Sequence, residues 1–213
     1  MRLLLPAGVA VAEARHDPPG VWLHPAEAAL VEGVVERRRR EFTTVRHCAR
    51  QALHRLGLPP APVLPDPFGA PRWPAGVVGS LTHCDGYRAA ALAPAAELAM
   101  LGIDAEPHAP LPDGVLDAIA LPAERARLRA APPGTHWDRL LFSAKEAVYK
   151  AWYPYTGHRL TFTDADLHLT PDGTFTAHLR PLPATSPLPH RLQGRWAIRK
   201  GLTLTSAYAR HAG

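Results

Sequence analysis

The chain has 213 residues, enough for one large domain or two small ones. A formal net charge of +5 and a pI near 9.6 favour anionic partners such as nucleotides, nucleic acid or an acidic protein. No apolar run approaches the length of a membrane span, and the two cysteines form no C-x-x-C pair, so composition argues against a membrane protein and a disulfide framework. We therefore expect a cytoplasmic protein with reduced cysteines.

The N-terminal third predicts a strand and a long helix. Residues 1–10 loosely resemble a signal peptide, but a proline and a glycine interrupt the short apolar stretch, and we expect a first strand there instead. Apolar residues recur at helical spacing through residues 25–56, which predicts a helix that ends at the Gly-Leu-Pro-Pro segment 57–60. The prolines of residues 59–74 then predict a loop.

The middle of the chain predicts three strands, over residues 77–81, 88–93 and 98–103. A helix is expected after His83, because the Asp-Gly pair at 85–86 interrupts the strand pattern. The third strand ends at a pair of acidic residues, which places their carboxylates at the border of a sheet.

The C-terminal part predicts two helices, a short one over residues 123–129 and a longer one over residues 136–153 that stops before Pro154. Four strands follow in two hairpins, at 166–169, 174–179, 195–199 and 202–209. The predicted fold class is α+β, with two sheet-and-helix halves that divide near residue 103. We expect residues 1–103 to form the N-terminal half and residues 104–213 the C-terminal half.

Two short stretches carry the chemistry. Asp104 and Glu106 lie two residues apart after an apolar run, and this spacing on a strand points both carboxylates to the same face. Glu146 and Lys150 lie four residues apart in a helical pattern and share one helix face. Carboxylate oxygens suit Mg²⁺, and a lysine beside them can hold a phosphate. The sequence therefore predicts metal-assisted chemistry at a phosphate ester or anhydride.

These stretches resemble a known family. The segments Gly-Ile-Asp-Ala-Glu at 102–106 and Phe-Ser-Ala-Lys-Glu-Ala-Val-Tyr-Lys at 142–150 are similar to the two signature motifs of the Sfp-type 4′-phosphopantetheinyl transferases. Gly-Ser-Leu-Thr-His-Cys at 79–84 resembles the Ser-x-Ser/Thr-His motif that precedes them in that family, and the three occur in the family order. Further similarity at residues 41–50 and 73–76 extends the resemblance over most of the chain.

The resemblance implies a fold of two similar halves related by a pseudo-twofold axis. It implies an enzyme that transfers 4′-phosphopantetheine from coenzyme A, with Mg²⁺ or alternatively Mn²⁺ as its metal, to a serine of an apo carrier protein. Carriers of polyketide, nonribosomal-peptide or fatty-acid synthesis are the expected partners. Two complete halves in one chain resemble the broad-specificity class, which acts as a monomer, without nucleic acid or membrane as a partner.

The resemblance also implies residue roles. The expected metal ligands are Asp104, Ala105 through its backbone oxygen, Glu106 and Glu146. Glu146 is also the expected catalytic base, and whether it acts as base, ligand or both stays open at this point. Lys150 is expected to be catalytic by stabilising the leaving phosphate. The residues expected to bind coenzyme A are Arg38, Arg46, Ser80, Thr82, His83, Asp104, Lys145, Glu146 and Lys150.

One part of the family pattern is missing. Relatives often place a basic residue in the loop that corresponds to residues 64–71, whereas this loop has none before Arg72. Arg72 is therefore a candidate substitute for the contact with the nucleotide.

Two other functions fit part of the sequence. A Mg²⁺-dependent nuclease or phosphatase would also use acidic residues and a lysine, although the helical spacing of Glu146 and Lys150 differs from the alternate strand positions common in nucleases. A basic module that binds nucleic acid would use the arginine run 37–40, but it would leave both acidic motifs unexplained.

Overall fold

The protein is seen in a computed structural model that describes residues 1–180 and 188–211. It is an α+β fold whose strands are β1 (Ala10–Ala14), β2 (Val77–Cys84), β3 (Tyr87–Pro94), β4 (Met100–Pro107), β5 (Ala165–Leu169), β6 (Thr174–Leu179), β7 (Arg191–Arg199) and β8 (Leu202–Ala209). Its helices are α1 (Pro25–Ala28), α2 (Glu36–Arg55), α3 (Val115–Ile119), α4 (Pro122–Arg129) and α5 (Trp137–Thr156), with short 3₁₀ turns at Arg2–Leu4, Ala29–Val31 and Phe162–Asp164. Within these described parts of the chain, no helix is both long and apolar enough to cross a bilayer.

The strands form two antiparallel sheets. One has the order β1-β3-β2 and the other the order β4-β8-β7-β6-β5, so β2 and β4 are edge strands. Alternate residues of β3 face two cores: Ala89 and Ala91 pack toward β4 and β8, whereas Ala90 and Leu92 pack against α2. Strand β4 runs through residue 103, where we expect the two halves to divide, and that division stays a prediction.

Helix α5 packs closely on β4 because Gly102 leaves room for it. A Cβ atom at this position would overlap the carbonyl oxygen of Ala147 and lie 2.6 Å from the backbone nitrogen of Ala151. The apolar stripe of α5 is buried as its spacing predicts, with Leu140, Leu141, Ala144, Val148 and Ala151 all at most 2% exposed. This close approach brings the polar face of α5 to the acidic end of β4.

The two sheets meet where β2 runs beside β4, and side-chain hydroxyl groups join them. The backbone N–H of Ile103 donates to Ser80 Oγ at 3.1 Å, and the N–H of Ala105 donates to Thr82 Oγ1 at 3.0 Å. Ser80 and Thr82 are 2% and 4% exposed. Because a buried amide without a partner is costly, these hydroxyl groups satisfy the edge of β4 in place of another strand.

Several expected elements differ from the observed ones. The expected helix after His83 is wrong, because Asp85 and Gly86 form a tight turn between β2 and β3, with Gly86 at a φ of 67°. Helix α5 continues past Pro154 to Thr156, since a proline near the end of a helix removes only one hydrogen bond and Gly157 then terminates it in the left-handed conformation.

The N-terminal elements are also shorter than expected. The first strand begins only at Ala10, after a 3₁₀ turn. The helical region expected over 25–56 is broken after Val31, and its long helix begins at Glu36. The short helix at 123–129 and the four C-terminal strands are confirmed, although β7 begins earlier, at Arg191.

We predict that the hydroxyl groups at the joint between the sheets stabilise the fold. Ser80→Ala or Thr82→Val leaves a buried N–H of β4 without an acceptor, which should lower the free energy of unfolding by about 1–3 kcal/mol. Thr176→Val is the matched control, because Thr176 is also on a strand but is only partly buried and contacts the side chain of Gln193. Urea unfolding measures the difference, and losses no larger than that of the control would contradict the role of the joint.

Candidate active site

A cleft of about 270 Å³ opens beside the joint between the two sheets. Its walls come from α2, β2, α5 and loop residues 68–71. The N-terminal layer, β1–β3 with α2, and the C-terminal layer, β4–β8 with α5, therefore both contribute to it. The cleft is lined by most of the residues that the sequence predicts for the site, namely Arg38, Arg46, Ser80, Thr82, His83, Glu146 and Lys150. The structure therefore brings together side chains that are more than one hundred residues apart in the chain.

Asp104 is the most heavily contacted carboxylate of the site. Its Oδ1 atom accepts hydrogen bonds from Thr82 at 3.2 Å and from the Lys150 ammonium at 2.6 Å, and its Oδ2 atom accepts one from Ser143 at 2.8 Å. Ser143 is itself hydrogen-bonded to Thr205 of β8. Asp104 is 4% exposed, so β2, α5 and β8 together fix the position of a buried negative charge.

The charges around Asp104 shift the pKa of Lys150. Burial disfavours its ammonium form, but the charges of Asp104, Glu146 and Glu106 outweigh burial and raise the pKa of Lys150 above its ordinary value. Lys150 is therefore a permanent cation at neutral pH. It lines the cleft and pairs with Asp104, so an anionic ligand in the cleft would meet it.

The two other carboxylates of the site hold their protons more tightly than usual. Burial and the nearby charge of Asp104 raise the pKa of Glu106, although Arg139 donates to it at 2.9 Å and partly offsets the effect. Burial also raises the pKa of Glu146; Lys150 opposes this rise, whereas Asp104 adds to it. Asp104 thus repels both of the other carboxylates, an arrangement that an additional cation would relieve.

The donor set fits Mg²⁺ by its chemistry. Asp104 and Glu106 occupy the same face of β4, as predicted, while the Ala105 side chain points to the opposite, apolar face. Across residues 1–180 and 188–211, no group of three or more His, Cys, Asp or Glu side chains forms a ready-made metal site. Mg²⁺ commonly takes only one or two protein carboxylates and completes its coordination with phosphate oxygens of a substrate. Asp104 and Glu106 can supply these carboxylates.

The opposite wall of the cleft is basic. A guanidinium nitrogen of Arg38 contacts Nε2 of His83, and Arg46 places its guanidinium 3.7 Å from the centre of the Phe42 ring. Burial lowers the pKa of Arg46 to about 10. Among the described residues, the Nε atom of Arg46 is one of the few buried side-chain atoms without a hydrogen-bond partner. A basic wall that holds an unsatisfied donor is suited to phosphate oxygens.

Two of the expected coenzyme A ligands have structural contacts. Ser80 and Thr82 line the cleft, but their hydroxyl oxygens already accept the amides of β4. His83 lies next to them and is half-buried, and burial together with the charge of Arg38 lowers its pKa. Unlike Ser80 and Thr82, His83 therefore directs its side chain to Arg38 of the basic wall.

Lys145 does not line the cleft. Its ammonium forms an ion pair with Glu124 at 2.8 Å and donates to the backbone oxygens of Ile119, Phe162 and Ala165. Lys145 and Glu124 are 3% and 1% exposed. The expectation that Lys145 binds coenzyme A stays a prediction, but its ammonium contacts connect α5 to the end of α3, to α4, to the 3₁₀ turn at Phe162–Asp164 and to β5.

The loop 64–71 contributes an aromatic edge to the cleft. Phe68 lies edge-to-face against Tyr153 with ring centroids 5.8 Å apart, and Tyr153 donates to Asp66 at 2.8 Å. Arg72 borders a separate cavity of about 540 Å³. Arg159, which the sequence did not single out, instead places its guanidinium 5.5 Å from the Phe68 ring. The helical spacing of Tyr149 and Tyr153 from Glu146 could have identified the aromatic wall.

Neither cysteine has the environment of a nucleophile. Burial raises the pKa of Cys48 to about 11, and burial with the charges of Glu106 and Asp104 raises the pKa of Cys84 to about 12. Both thiols therefore stay protonated at neutral pH. Cys48 of α2 is 1% exposed and packs in the core that α2 forms with β1 and β3, as expected for a small apolar residue.

The chain matches two family models. Residues 26–93 match the 4′-phosphopantetheinyl transferase N-terminal domain, and residues 100–203 match the 4′-phosphopantetheinyl transferase superfamily. These matches cover most of the chain, and the boundary between them falls in the segment that leads into β4. They give no support to a nuclease or to a nucleic-acid-binding module.

Three curated proteins are similar over nearly the whole chain. The 4′-phosphopantetheinyl transferase Svp of Streptomyces mobaraensis is 57% identical over 205 residues, which cover 92% of this chain and 83% of that protein. The transferase PptT of Mycobacterium tuberculosis is 50% identical, with 95% of each chain covered. The transferase Npt of Nocardia iowensis is 49% identical over 97% of this chain and 98% of its own. With its acidic strand, its basic wall and these relatives, the chain belongs to the 4′-phosphopantetheinyl transferase superfamily.

Proposed function

We propose that this protein transfers the 4′-phosphopantetheine group of coenzyme A to a serine of an apo carrier protein, releasing adenosine 3′,5′-bisphosphate. The observation that carries the proposal is Lys150, which lines the cleft and pairs with buried Asp104 behind it, while Arg38, Arg46 and His83 line the same cleft. Coenzyme A carries a pyrophosphate and a 3′-phosphate, and such a ligand needs several fixed cations. The two family models and the three relatives support the same activity.

The basic wall and Lys150 bind the phosphates of coenzyme A. Arg38 and His83 approach from α2 and β2, whereas Lys150 approaches from α5, so the nucleotide lies across the joint between the layers. Arg46 supplies the buried donor that still lacks a partner among the described residues. A ligand held from both layers is fixed in position relative to the carboxylates, which is how an enzyme gains rate from orientation.

Glu146 acts on the serine. The serine Oγ attacks the phosphorus on the pantetheine side of the pyrophosphate, so that a new O–P bond forms and the bond to the adenosine 3′,5′-bisphosphate breaks. Glu146 accepts the serine proton, and burial raises its pKa, which makes it a stronger base than an exposed carboxylate as long as it does not ligate the metal. Lys150 stabilises the charge that develops on the leaving phosphate. Asp104 keeps Lys150 charged and in position.

Asp104 and Glu106 would hold Mg²⁺, and the Ala105 backbone oxygen and Glu146 remain predicted additional ligands. When bound, the metal would neutralise phosphate oxygens of coenzyme A and act as a Lewis acid. Mn²⁺ also suits oxygen donors and is a second candidate.

The acceptor is an acidic carrier protein. Polyketide and nonribosomal-peptide carriers are the proposed natural acceptors, with fatty-acid carriers as further substrates, and the enzyme acts on them as a monomer in the cytoplasm. The net charge of +5 would steer an acidic domain toward the cleft.

The activity is tested by incubating the protein with coenzyme A, Mg²⁺ and an apo carrier, and measuring the intact mass of the carrier. We expect the mass gain of one phosphopantetheine group on the acceptor serine, and its loss when EDTA removes the metal. Glu146→Gln should lower the rate by about 100-fold or more, because an amide cannot accept the proton. Asp117→Asn is the control, since this exposed residue contacts Arg125 on the surface. No mass gain on polyketide, nonribosomal-peptide or fatty-acid carriers, with folded protein, would refute the activity.

The two lysines of the second motif should separate binding from stability. Lys150→Met should weaken coenzyme A binding and turnover, because it removes a cation from the cleft. Lys145→Met should instead lower the free energy of unfolding by about 3–5 kcal/mol, because it leaves buried Glu124 without its partner. Calorimetry with coenzyme A and urea unfolding of both variants measure the contrast. Weaker coenzyme A binding by folded Lys145→Met, equal to that of Lys150→Met, would support Lys145 as a ligand.

A further inference from the structure

Glu41 of α2 places a carboxylate beside the basic wall of the cleft. Its side chain is 12% exposed and faces three arginines. It accepts a hydrogen bond from Arg37 Nε at 3.2 Å, and its oxygens lie 3.6 Å from a guanidinium nitrogen of Arg38 and 3.7 Å from one of Arg88. A negative charge so close to a site for phosphates is unfavourable for anion binding by itself, so its presence needs a physical reason.

Arg88 connects Glu41 to the strands that carry His83. Arg88 of β3 is the antiparallel partner of His83 of β2, and its guanidinium donates to the backbone oxygen of Cys84 at 2.9 Å. It also forms an ion pair with Asp17 at 3.0 Å. Its side chain is 7% exposed, so Arg88 is a fixed part of the sheet. Oε1 of Glu41 therefore faces both Arg88 of the sheet and Arg37 of α2, whereas Oε2 faces Arg38.

Arg38 and His83, which lie next to Glu41, repel each other when both side chains are charged. Arg38 and His83 are in direct contact, and Arg38 lowers the pKa of His83 in addition to the effect of burial, while Glu41 raises it. The Arg38 side chain is half exposed. A long, half-exposed arginine without a partner would sample many rotamers, and holding it against His83 costs conformational entropy.

We propose that Glu41 is a positioning residue that holds Arg38 against His83, so that the two present a preformed site to a phosphate of coenzyme A. The inference rests on the proposed function, because it assigns Glu41 to the same nucleotide site. Glu41 contacts no substrate atom in this arrangement. Its negative charge makes the potential in the cleft less favourable for phosphate. It also fixes the geometry of Arg38, and this lowers the entropic cost of ligand binding.

The direction in which Glu41→Gln changes the affinity for a nucleotide distinguishes this positioning role from a purely electrostatic one. If Glu41 only placed a negative charge near the site, then Glu41→Gln would bind an anionic nucleotide more tightly. If Glu41 positions Arg38, the same substitution weakens binding, because the amide forms no ion pair with Arg38 or Arg88. We expect Glu41→Gln to bind adenosine 3′,5′-bisphosphate about 10-fold more weakly by calorimetry, equivalent to about 1.4 kcal/mol.

Glu36→Gln is the matched control, because Glu36 lies on the same helix and pairs at 3.6 Å with Arg40, outside the cleft. Its affinity should stay within about twofold of the unsubstituted protein, as expected when an exposed ion pair is lost. Turnover should show a raised KM for coenzyme A with kcat at saturation nearly unchanged, since Glu41 acts on binding and contacts none of the reacting atoms.

A double substitution completes the test. In the Arg38→Ala background, Glu41→Gln should cause no further loss of affinity, because the side chain that Glu41 positions is gone. Additive losses, or equal or tighter binding by folded Glu41→Gln alone, would overturn the positioning role while leaving the proposed function intact. If the unsubstituted protein binds no adenosine 3′,5′-bisphosphate, both proposals fail.

Folding of the variant is tested separately. Should Glu41→Gln unfold, Glu41→Asp keeps the charge that buried Arg88 requires but is one methylene shorter and draws back from Arg38. Weaker nucleotide binding by folded Glu41→Asp would support the positioning role, and unchanged binding would overturn it.

Discussion

The joint between the two sheets is the constraint on which the rest of the structure depends. Strands β2 and β4 are both edge strands, and their meeting would leave backbone amides of β4 buried and unsatisfied. Ser80 and Thr82 supply the missing acceptors. Thr82 uses the same hydroxyl group to donate to Asp104, so the contact that joins the layers also orients the central carboxylate of the site.

The division of charge in the cleft follows from this arrangement. The N-terminal layer contributes the cations Arg38 and Arg46 and the imidazole of His83, and the C-terminal layer contributes carboxylates through β4 and α5. Lys150 is the exception, a cation that the acidic residues themselves keep charged. Under the proposed function, a ligand with several phosphates would be bound on one side and would meet the carboxylate pair Asp104 and Glu106 on the other. Glu41 and Asp104 have parallel roles, since each is an acidic residue that holds a cation in place.

Local sequence periodicity predicted much of the site. The spacing of Asp104 and Glu106 places both on one face of β4, and the spacing of Glu146 and Lys150 places both at the cleft. The predicted apolar stripe of α5 is buried. These inferences succeeded because each depends only on residues that are close together in the same helix or strand.

Contacts between distant residues could not be predicted in this way. Lys145 looks like a second phosphate ligand beside Glu146, but a helix rotates adjacent side chains by about 100°, and Glu124 of α4 receives its ammonium. The role of Ser80 and Thr82 at the joint between the sheets can be inferred only when it is known that β2 runs beside β4. The Asp-Gly pair at 85–86 interrupts a strand pattern whether a helix or a hairpin follows, and only the pairing of β2 with β3 shows that it is a two-residue hairpin turn.

A crystal structure of the protein with coenzyme A and Mg²⁺ tests the proposed site most directly. We expect phosphates in contact with Arg38 and His83 from one layer and with Lys150 from the other, and the metal beside Asp104. Lys145 should remain paired with Glu124. A nucleotide bound to one layer alone, or phosphates that contact Lys145 in place of Lys150, would contradict a site built across the joint.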